Sequence, residues 1–411
     1  TESTAIITGG VYLGFGNNSL SNAGQINGTT SHTESLVGGG TITISGSVLG
    51  RTGNDTLTNT ITGRIDGNVD LGAGNNVINN QGGIFGYDVF NPEDPEPTIA
   101  TITTLGGADR LTNSGTIGSA APLFDDGRFI STNLLNDYDQ LNFSVVVDLG
   151  DGHDSLSNTG NIYGTIAMGA GADTVTGGNF SELVIEEDGA DSYNLGAGAD
   201  AVFMSRADGN IDTVNGGLGI DLIDFFMSSA DDGHRIDLAL GRVFYEVTSL
   251  TDTGTASSDV ILGFEQVVGS TESDFILGSA ANETLAGGLD TDYLRGGGGR
   301  DVLFGGDGAD SFVFTAQSDS GATRATRDVI ADFQTGDQIH LLFDSDVINA
   351  GLDAFQHVDF DEMGAGFSGQ AGSIRAYFAG SSTLIEVDTN GDLRADFTIE
   401  LWGQHTLTDT D

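Results

Sequence analysis

Large apolar residues recur at every ninth position between residues 269 and 313, a stretch made of five consecutive nonapeptides. Each nonapeptide begins with glycine and carries an acid at its sixth position and an apolar residue at its eighth. This pattern predicts a short strand with one side chain turned into a core, after a turn in which glycine permits positive φ. If two nonapeptides form one coil, acids eighteen residues apart stack at the spacing of neighbouring strands, about 4.8 Å. The acids are Asp274, Glu283, Asp292, Asp301 and Asp310, and the apolar residues are Ile276, Leu285, Leu294, Leu303 and Phe312.

Stacked carboxylates at this spacing repel each other unless a cation lies between them. Carboxylate and carbonyl oxygens favour Ca²⁺ over Mg²⁺, because calcium accepts more ligands in a less regular geometry. The first copy has Ser270 and Glu272 at glycine positions and the second has Ala281 and Glu283, so we expect these two turns to bind calcium weakly or not at all. The candidate ligands in this stretch are Asp274, Gly287, Gly288, Asp290, Asp292, Gly296, Gly297, Gly299, Asp301, Gly305, Gly306, Gly308 and Asp310.

A longer repeat of glycine turns and alternating strands covers residues 1–180. Its inward positions include Leu57 and Ile78, whose separation of 21 residues sets the length of a bare rung. Wider separations elsewhere predict three insertions, at residues 29–44, 87–98 and 119–142. Insertions in repeat proteins form loops and often lie on the binding face, so we interpret these three either as partner-binding surfaces or as inert decorations.

Polar residues of these rungs give two further predictions. Asparagines at inward positions predict ladders of hydrogen bonds from rung to rung. Acids in the glycine turns, where Asn18 and Asn76 take their place in two copies, predict occasional calcium sites. Between Asp224 and Gln266 the glycines become sparse, which predicts larger rungs of the same solenoid with residues 248–259 looping out. The candidate ligands of these turns are Asp55, Asp109, Asp154, Asp173, Asp191, Asp200, Asp212 and Asp221.

Two known families share these motifs. The nonapeptides resemble the calcium-binding repeats of the RTX, or hemolysin-type, secreted proteins. Residues 310–314, 327–333, 336–339, 383–388 and 396–403 resemble the C-terminal domain that follows such repeats in serralysin-type secreted proteins. The resemblance implies calcium-dependent folding outside the cell and export through a type I channel directed by the C-terminus. It also implies that the C-terminal domain caps the solenoid.

The predicted fold class is therefore all-β. We expect a right-handed parallel β-solenoid or β-roll with calcium-binding turns, capped by a β-rich C-terminal domain. The predicted domains are an N-terminal solenoid over residues 1–180, an RTX calcium-binding β-roll over residues 181–313, and a capping and secretion-signal domain over residues 314–411.

One loop of the C-terminal segment has the spacing of a different calcium motif. Asp388, Asn390 and Asp392 match the first three ligand positions of an EF-hand, and Asp396 follows, but Glu400 is one residue late for the bidentate position. We expect either a bound calcium ion or a turn that links two strands.

Composition limits the classes of partner. The 411 residues include 60 acids and 13 bases, all arginine, for a formal charge of −47. Nucleic acid is excluded because its phosphates require a basic face, and no apolar run reaches the roughly 18 residues of a spanning helix. The absence of cysteine fits a protein braced by metal. The first ten residues lack the basic and apolar regions of a signal peptide, so we expect none there. Halophilic adaptation is the alternative explanation of the acidity.

Catalytic motifs are absent from the sequence: there is no His-Glu-x-x-His, no Gly-x-Ser-x-Gly and no phosphate-binding loop. We therefore expect a protein that is not an enzyme. One alternative is a β-solenoid polysaccharide lyase or epimerase with a site near Arg51, Arg64 and Arg110. Another is an adhesin or an ice- or polysaccharide-binding module. Such a module needs a flat array of like side chains, suggested irregularly by the threonines of residues 41–43, 58–62 and 101–103.

The function that these patterns favour is that of a secreted calcium-binding structural protein of a Gram-negative bacterium. It would fold on external calcium and self-associate at the cell surface as an S-layer, extracellular matrix or filament subunit. Calcium and further copies of the chain are the expected partners, and a cell-surface polysaccharide is a second candidate. No membrane span is expected.

Overall fold

The computed structural model describes most of the chain. Of the predicted insertions, residues 87–98 and 119–142 lie outside the described residues, and the first insertion is described only in part. The described residues contain strands and turns, with one short 3-10 helix at Gln317–Asp319, so the all-β prediction is confirmed. No helix in this part of the chain is long and apolar enough to cross a membrane. The described ranges are 5–27, 30–35, 41–86, 100–118, 145–204, 209–226, 233–249, 251, 258–343, 364 and 366–407.

The chain divides into two compact units, one ending at Asp221 and the other beginning at Leu222. We call them unit 1 and unit 2 and describe each by itself. The strands of unit 1 are β1 (Ile6–Thr8), β2 (Val11–Gly14), β3 (Ser19–Asn22), β4 (Gln25–Asn27), β5 (Thr30–Ser35), β6 (Thr41–Gly46), β7 (Val48–Thr52), β8 (Thr56–Asn59), β9 (Arg64–Asp66), β10 (Val69–Ala73), β11 (Val77–Asn80), β12 (Gly83–Phe85), β13 (Ile102–Gly107), β14 (Arg110–Asn113), β15 (Thr116–Ile117), β16 (Val145–Asp148), β17 (Asp151–Gly152), β18 (Ser155–Asn158), β19 (Asn161–Ile162), β20 (Thr165–Ala167), β21 (Thr174–Thr176), β22 (Leu183–Glu186), β23 (Ser192–Asn194), β24 (Ala197–Gly198), β25 (Ala201–Met204), β26 (Thr213–Asn215) and β27 (Leu218–Gly219).

Unit 1 is a stack of parallel rungs. Sheet A contains β1, β4, β9, β12, β15 and β19. Sheet B contains β2, β7, β10, β13, β16, β17, β20, β22 and β25. Sheet C contains β3, β8, β11, β14, β18, β21, β23 and β26. Each early rung visits sheets B, C and A in turn, whereas from β20 onward the rungs alternate between sheets B and C, with β24 and β27 paired as a separate short sheet. The solenoid thus continues as a two-sheeted roll.

The predicted register of the early rungs is confirmed. Leu57 pairs with Leu20 on one side and Ile78 on the other, and Leu111 pairs with Ile78 and Leu156. Leu20 is half-buried and the other side chains are buried, with Leu57 and Leu111 at 0% exposure. Apolar side chains of one parity fill the interior, while their neighbours along each strand face outward.

The predicted asparagine ladder is also confirmed. Nδ2 of Asn22 donates to Oδ1 of Asn59 at 2.9 Å, and Asn59 donates to Asn80 at 2.8 Å. Asn80 donates to Asn113 and Asn113 to Asn158, both at 2.8 Å. Every amide of this buried column therefore points in the same direction.

The three predicted insertions share one place in the topology of unit 1. The described residues that flank them follow β4, β12 and β15 and precede β7, β13 and β16. All three thus lie where the chain passes from sheet A to sheet B. In the first of them, β5 and β6 form an antiparallel hairpin.

Unit 2 contains the nonapeptides and the C-terminal segment. Its strands are β28 (Leu222–Asp224), β29 (Arg235–Asp237), β30 (Arg242–Phe244), β31 (Asp259–Leu262), β32 (Gln266–Val268), β33 (Phe275–Leu277), β34 (Thr284–Leu289), β35 (Tyr293–Arg295), β36 (Val302–Asp307), β37 (Ser311–Phe314), β38 (Asp328–Ile330), β39 (Gln338–Leu341), β40 (Ser373–Ala379), β41 (Ser382–Asp388) and β42 (Phe397–Trp402).

Residues eighteen apart in the nonapeptides pair as predicted. Ile276 lies beside Leu294, and Leu285 lies beside Leu303 on the other sheet. The parallel rungs continue into the C-terminal segment, because β38 pairs with β36 and β39 pairs with β37. Strands β40, β41 and β42 then form an antiparallel sheet joined to β38 through β42.

The expectation of larger rungs of the same parallel solenoid between Asp224 and Gln266 is wrong at β30, although β29 also pairs parallel with β33. Strand β30 pairs antiparallel with both of its neighbours. Only four residues, 238–241, connect β29 to β30, and Gly241 adopts φ +66° there. A parallel connection needs a crossover of a dozen or more residues, so this short turn forces a hairpin.

We predict that Asn80→Ala destabilises the calcium-loaded protein by about 1–3 kcal/mol, because it removes two buried hydrogen bonds, one from Asn59 and one to Asn113. The matched control is Asn79→Ala, which removes an outward-facing amide from the same strand. Urea unfolding at saturating calcium measures both. Equal losses for the two variants would contradict a structural role for the ladder.

Candidate calcium sites

The acids of the nonapeptides form two hydrogen-bonded columns. The backbone N–H of Asp274 donates to Oδ1 of Asp292 at 2.8 Å, and that of Asp292 donates to Oδ1 of Asp310 at 2.9 Å. In the second column, the N–H of Glu283 donates to Oδ1 of Asp301 at 2.9 Å. One oxygen of each accepting carboxylate is thereby fixed by the coil before it.

The other carboxylate oxygen has no protein partner. Oδ2 of Asp292, Asp301 and Asp310 is buried and makes no hydrogen bond, and all three residues are 0% exposed. Each Oδ2 lies against the first glycine of its own nonapeptide, so closely that a Cβ there would overlap it. These glycines are Gly287, Gly296 and Gly305.

Backbone carbonyls supply further oxygens beside these columns. A Cβ at the second or fourth glycine of a copy would collide with a carbonyl oxygen of the coil before it. Asp290 differs from the column acids, because its side chain is exposed and its φ is +62°. Its carbonyl, rather than its carboxylate, faces the next coil at Gly308. The glycines concerned are Gly288, Gly297, Gly299, Gly306 and Gly308.

The first two nonapeptides have serine at their second position, where the later copies have glycine. The Oγ of Ser270 lies 3.0 Å from Oδ2 of Asp274, and the backbone N–H of Ser270 donates to the same oxygen. Ser279 hydrogen-bonds Glu283 in the same way, through its hydroxyl and its N–H. Both oxygens of Asp274 therefore have partners within the protein, which gives a physical basis for weak binding at the first turn, whereas Oε2 of Glu283 remains buried without a partner.

Burial disfavours the ionised form of the column acids when no cation is bound. Burial, together with the neighbouring carboxylates Asp274 and Asp310, raises the pKa of Asp292 to about 10. Burial likewise raises the pKa of Asp274 and of Asp310 to about 7. The pKa of Asp301 is raised by burial and then by Asp328. A bound cation would offset the cost of ionising these groups.

Unit 1 contains a column of the same kind at the turn before sheet C. Each backbone N–H donates to a side-chain Oδ1 of the next rung, over 2.6–3.0 Å. Asn18 and Asn76 occupy two of its rungs, as predicted. Oδ2 of Asp55, Asp109, Asp154 and Asp173 is buried without a hydrogen bond. In rung order the column is Asn18, Asp55, Asn76, Asp109, Asp154, Asp173, Asp191 and Asp212.

A second column of unit 1 contains an acid that the sequence analysis missed. The N–H of Glu182 donates to Oδ1 of Asp200 at 2.7 Å, and that of Asp200 donates to Oδ1 of Asp221 at 2.8 Å. Glu182 also accepts the last amide of the asparagine ladder, from Asn158 at 2.7 Å. The signal was its position nine residues after Asp173 and nine before Asp191.

Three further acids of unit 2 were also missed. Asp328 accepts the N–H of Asp301 at 2.9 Å, and Asp337 accepts that of Asp310 at 3.1 Å, so both extend the columns. The two oxygens of Asp332 accept the N–H groups of consecutive glycines, each at 2.9 Å. The available signal for Asp328 and Asp337 was an apolar residue two positions later, Ile330 and Ile339, whereas Asp332 lacks this signal because Gln334 takes that place.

Three carboxylates of unit 1 form one cluster that could hold a metal ion. Glu186, Asp191 and Asp212 are buried and place oxygen atoms within 4.8 Å of one another. The hydroxyl of Tyr193 donates to Oδ2 of Asp191 at 2.9 Å. Asp191 and Asp212 were predicted ligands, whereas Glu186, at the end of β22, was not.

The loop between β41 and β42 has a different arrangement. Oδ1 of Asp388 accepts the N–H of Gly391 at 2.7 Å, and Oδ2 accepts that of Leu393 at 2.8 Å. Asn390 donates to Asp396 at 3.2 Å, and the N–H of Arg394 donates to Asp392 at 3.0 Å. The loop thus satisfies its own acids, as a strand-linking turn does.

The arginines of the lyase alternative do not share a face. Arg51 lies on β7 of sheet B, Arg64 on β9 of sheet A, and Arg110 on β14 of sheet C. Arg64 pairs with Asp66, with 2.6 Å between Nη2 and Oδ1. A catalytic centre built from all three is therefore not formed in unit 1.

Comparison with known proteins identifies the family. The profile described as Peptidase M10 serralysin C terminal matches residues 205–411. The chain belongs to this family. No curated protein matches it. The serralysin C-terminal domain is the calcium-binding β-roll part of those peptidases and not their catalytic part, which agrees with the roll and its acid columns.

The donor groups of this serralysin C-terminal chain fit calcium. Calcium takes six to eight oxygen ligands, and the columns offer carboxylate, side-chain amide and backbone carbonyl oxygens. The partnerless Oδ2 atoms of Asp292, Asp301 and Asp310 suit a cation ligand, since a buried carboxylate oxygen without a partner is costly. In unit 1 the same applies to Asp154 and Asp200.

We predict that Asp292→Asn raises the calcium concentration at the folding midpoint about tenfold or more, because affinity follows the number of ligand charges. Asp307→Asn is the control, since Asp307 is an exposed acid of the next coil. Circular dichroism during calcium titration measures both variants. A midpoint unchanged in Asp292→Asn would exclude this carboxylate as a ligand.

The raised pKa values also predict a pH dependence of the metal-free protein. Asp154, Asp173 and Asp274 have folded-state pKa values of about 7, against about 4 in an unfolded chain. The folded state therefore binds more protons between these values, and its stability falls as pH rises. With chelator, we expect more strand signal at about pH 5.5 than at about pH 8.5. With calcium, we expect the reverse order, because binding requires the ionised form. The same order in both conditions would refute this linkage.

Proposed function

We propose that the chain is a secreted structural protein that folds on external calcium and self-assembles at the cell surface of a Gram-negative bacterium, as an S-layer, extracellular-matrix or filament subunit. The observation that carries the proposal is the stack of buried carboxylates with one oxygen fixed by the next coil and the other without a protein partner.

Calcium binding would supply the free energy of folding. Each site that binds only the folded state adds about 2.7 kcal/mol when calcium exceeds its dissociation constant a hundredfold. Several such sites together exceed the usual net stability of a domain, about 5–15 kcal/mol. At low calcium the raised pKa values and the charge of −47 act against the compact state. The chain would then fold only where calcium is abundant.

Membership of the serralysin C-terminal family supports an extracellular location. The family implies export through a type I channel. We assign the columns of both units to calcium, residues 1–180 to the solenoid, residues 181–313 to the RTX roll, and residues 314–411 to capping and export. An unfolded acidic chain in calcium-poor cytosol suits passage through a channel.

During self-assembly, calcium would also bind between copies of the chain. Copies with a charge of −47 repel one another, and exposed acids of neighbouring copies can share a divalent ion. The insertions following β4, β12 and β15 provide a second means of contact, because they concentrate at one corner of unit 1.

We predict that the purified chain forms sheets or filaments in millimolar calcium and disperses on chelation. Negative-stain electron microscopy and sedimentation measure this. The control is sodium chloride at matched ionic strength, which screens repulsion without bridging acids. Assembly in sodium chloride alone would show that screening suffices. A monodisperse, folded, calcium-loaded monomer would refute the assembly and leave calcium-dependent folding intact.

A further inference from the structure

The outward side chains of sheet C in unit 1 include one charged group, that of Arg110. Each of the eight strands turns two side chains outward, two residues apart, on either side of an apolar or aromatic residue, which is buried in every strand except β3, where Leu20 is half-buried. Apart from Val77 and Arg110, every outward residue is Ser, Thr or Asn. In rung order the pairs are Ser19 and Ser21, Thr56 and Thr58, Val77 and Asn79, Arg110 and Thr112, Ser155 and Ser157, Thr174 and Thr176, Ser192 and Asn194, and Thr213 and Asn215.

The absence of acids from this face is unexpected for the chain as a whole. The protein has 60 acids, yet none occupies an outward position on the strands of sheet C. The other two sheets of unit 1 do expose acids partly, with Asp66 on sheet A and Asp70 and Asp148 on sheet B. The acids nearest to sheet C, such as Asp154 and Asp173, are buried in the column at the turn. A ligand on this face therefore meets neither repulsion from a carboxylate nor the cost of desolvating one.

Short turns flank this face in the early rungs. All three insertions of unit 1 follow a strand of sheet A and precede a strand of sheet B, and between β7 and β19 the turns that enter and leave sheet C have two to four residues. Thr174 donates to the carbonyl of Asp154 at 3.4 Å, and Asn215 donates to Asn194 at 3.2 Å. In the described part of the chain the other hydroxyls of this face make no hydrogen bond to protein, so they can both donate to and accept from a ligand.

The dimensions of this face favour a long, narrow ligand. Eight strands at about 4.8 Å spacing extend over roughly 34 Å, while the two columns are only about 7 Å apart. This strip is too narrow for the roughly 800 Å² that each partner of a standard protein interface buries. An extended polymer fits it. The repeat of hydroxyl and amide groups from rung to rung matches a polymer with regularly spaced hydroxyls.

We propose that the outer face of sheet C binds an extended, uncharged polysaccharide. The site needs the folded rungs and hence the calcium-loaded state, but it does not need self-assembly. Of the threonines that the sequence suggested for such an array, Thr58 lies on this face, whereas Thr103 lies on sheet B. The sequence alone did not show this array, because insertions of different length separate the strands that are neighbours in the sheet.

The test uses the full chain in calcium, with microcrystalline cellulose and chitin as the probes. Ser157→Glu places a carboxylate near the middle of the face, and Ser157→Tyr places a bulky ring there without charge. The matched control is Asn161→Glu, on the same rung but on sheet A. Strand signal and calcium content of each variant show that it is folded.

We expect wild-type protein and Asn161→Glu to be retained on at least one of the two probes. Both Ser157 variants should bind about tenfold or more weakly, equivalent to about 1.4 kcal/mol. Calcium-dependent sedimentation of Ser157→Glu should be unchanged, which separates this site from assembly. Absence of wild-type retention on both probes, or equal retention of wild type and the Ser157 variants, would overturn the proposal. So would an equal loss in Asn161→Glu.

Discussion

The bond from a backbone N–H to the carboxylate of the next rung is the interaction on which this structure depends. It fixes one oxygen of each column acid at the rung spacing and buries the other beside a glycine, as at Asp292 and Gly287. The geometry that stacks the coils thus also concentrates negative charge in a place without water. Desolvation and neighbouring acids then favour the neutral form, and a hard divalent cation is the partner that restores the charged one.

Periodicity made much of the fold predictable. Leu57 and Ile78, or Ile276 and Leu294, pair because a single repeat length places them on consecutive rungs, and this requires no knowledge of the rest of the chain. The hairpin of β29 and β30 was not predictable in this way, since an alternating segment has the same pattern whether it pairs parallel or antiparallel. Only the length of the turn before Arg242 decided between them.

Some of the candidate sites were likewise predictable from the repeat, and others were not. Asp292, Asp301 and Asp310 follow from the nonapeptide alone, whereas Glu182 escaped because Phe180 occupies a turn position where other copies have glycine. The short bond between Ser279 and Glu283 depends on side-chain conformation, which no spacing encodes. Likewise the outer face of sheet C depends on which strands become neighbours, and the three insertions of unequal length hide that from a linear reading.

The position of those insertions has an evolutionary consequence. Because the asparagine column runs in one direction, a tandem duplication of a whole rung supplies both the donor and the acceptor that its new neighbours require. The solenoid can therefore lengthen by gene-internal duplication without any compensating substitution. Insertions that are not whole rungs are tolerated where the chain passes from sheet A to sheet B. Related chains can therefore differ in these insertions while the stacked interior remains the same.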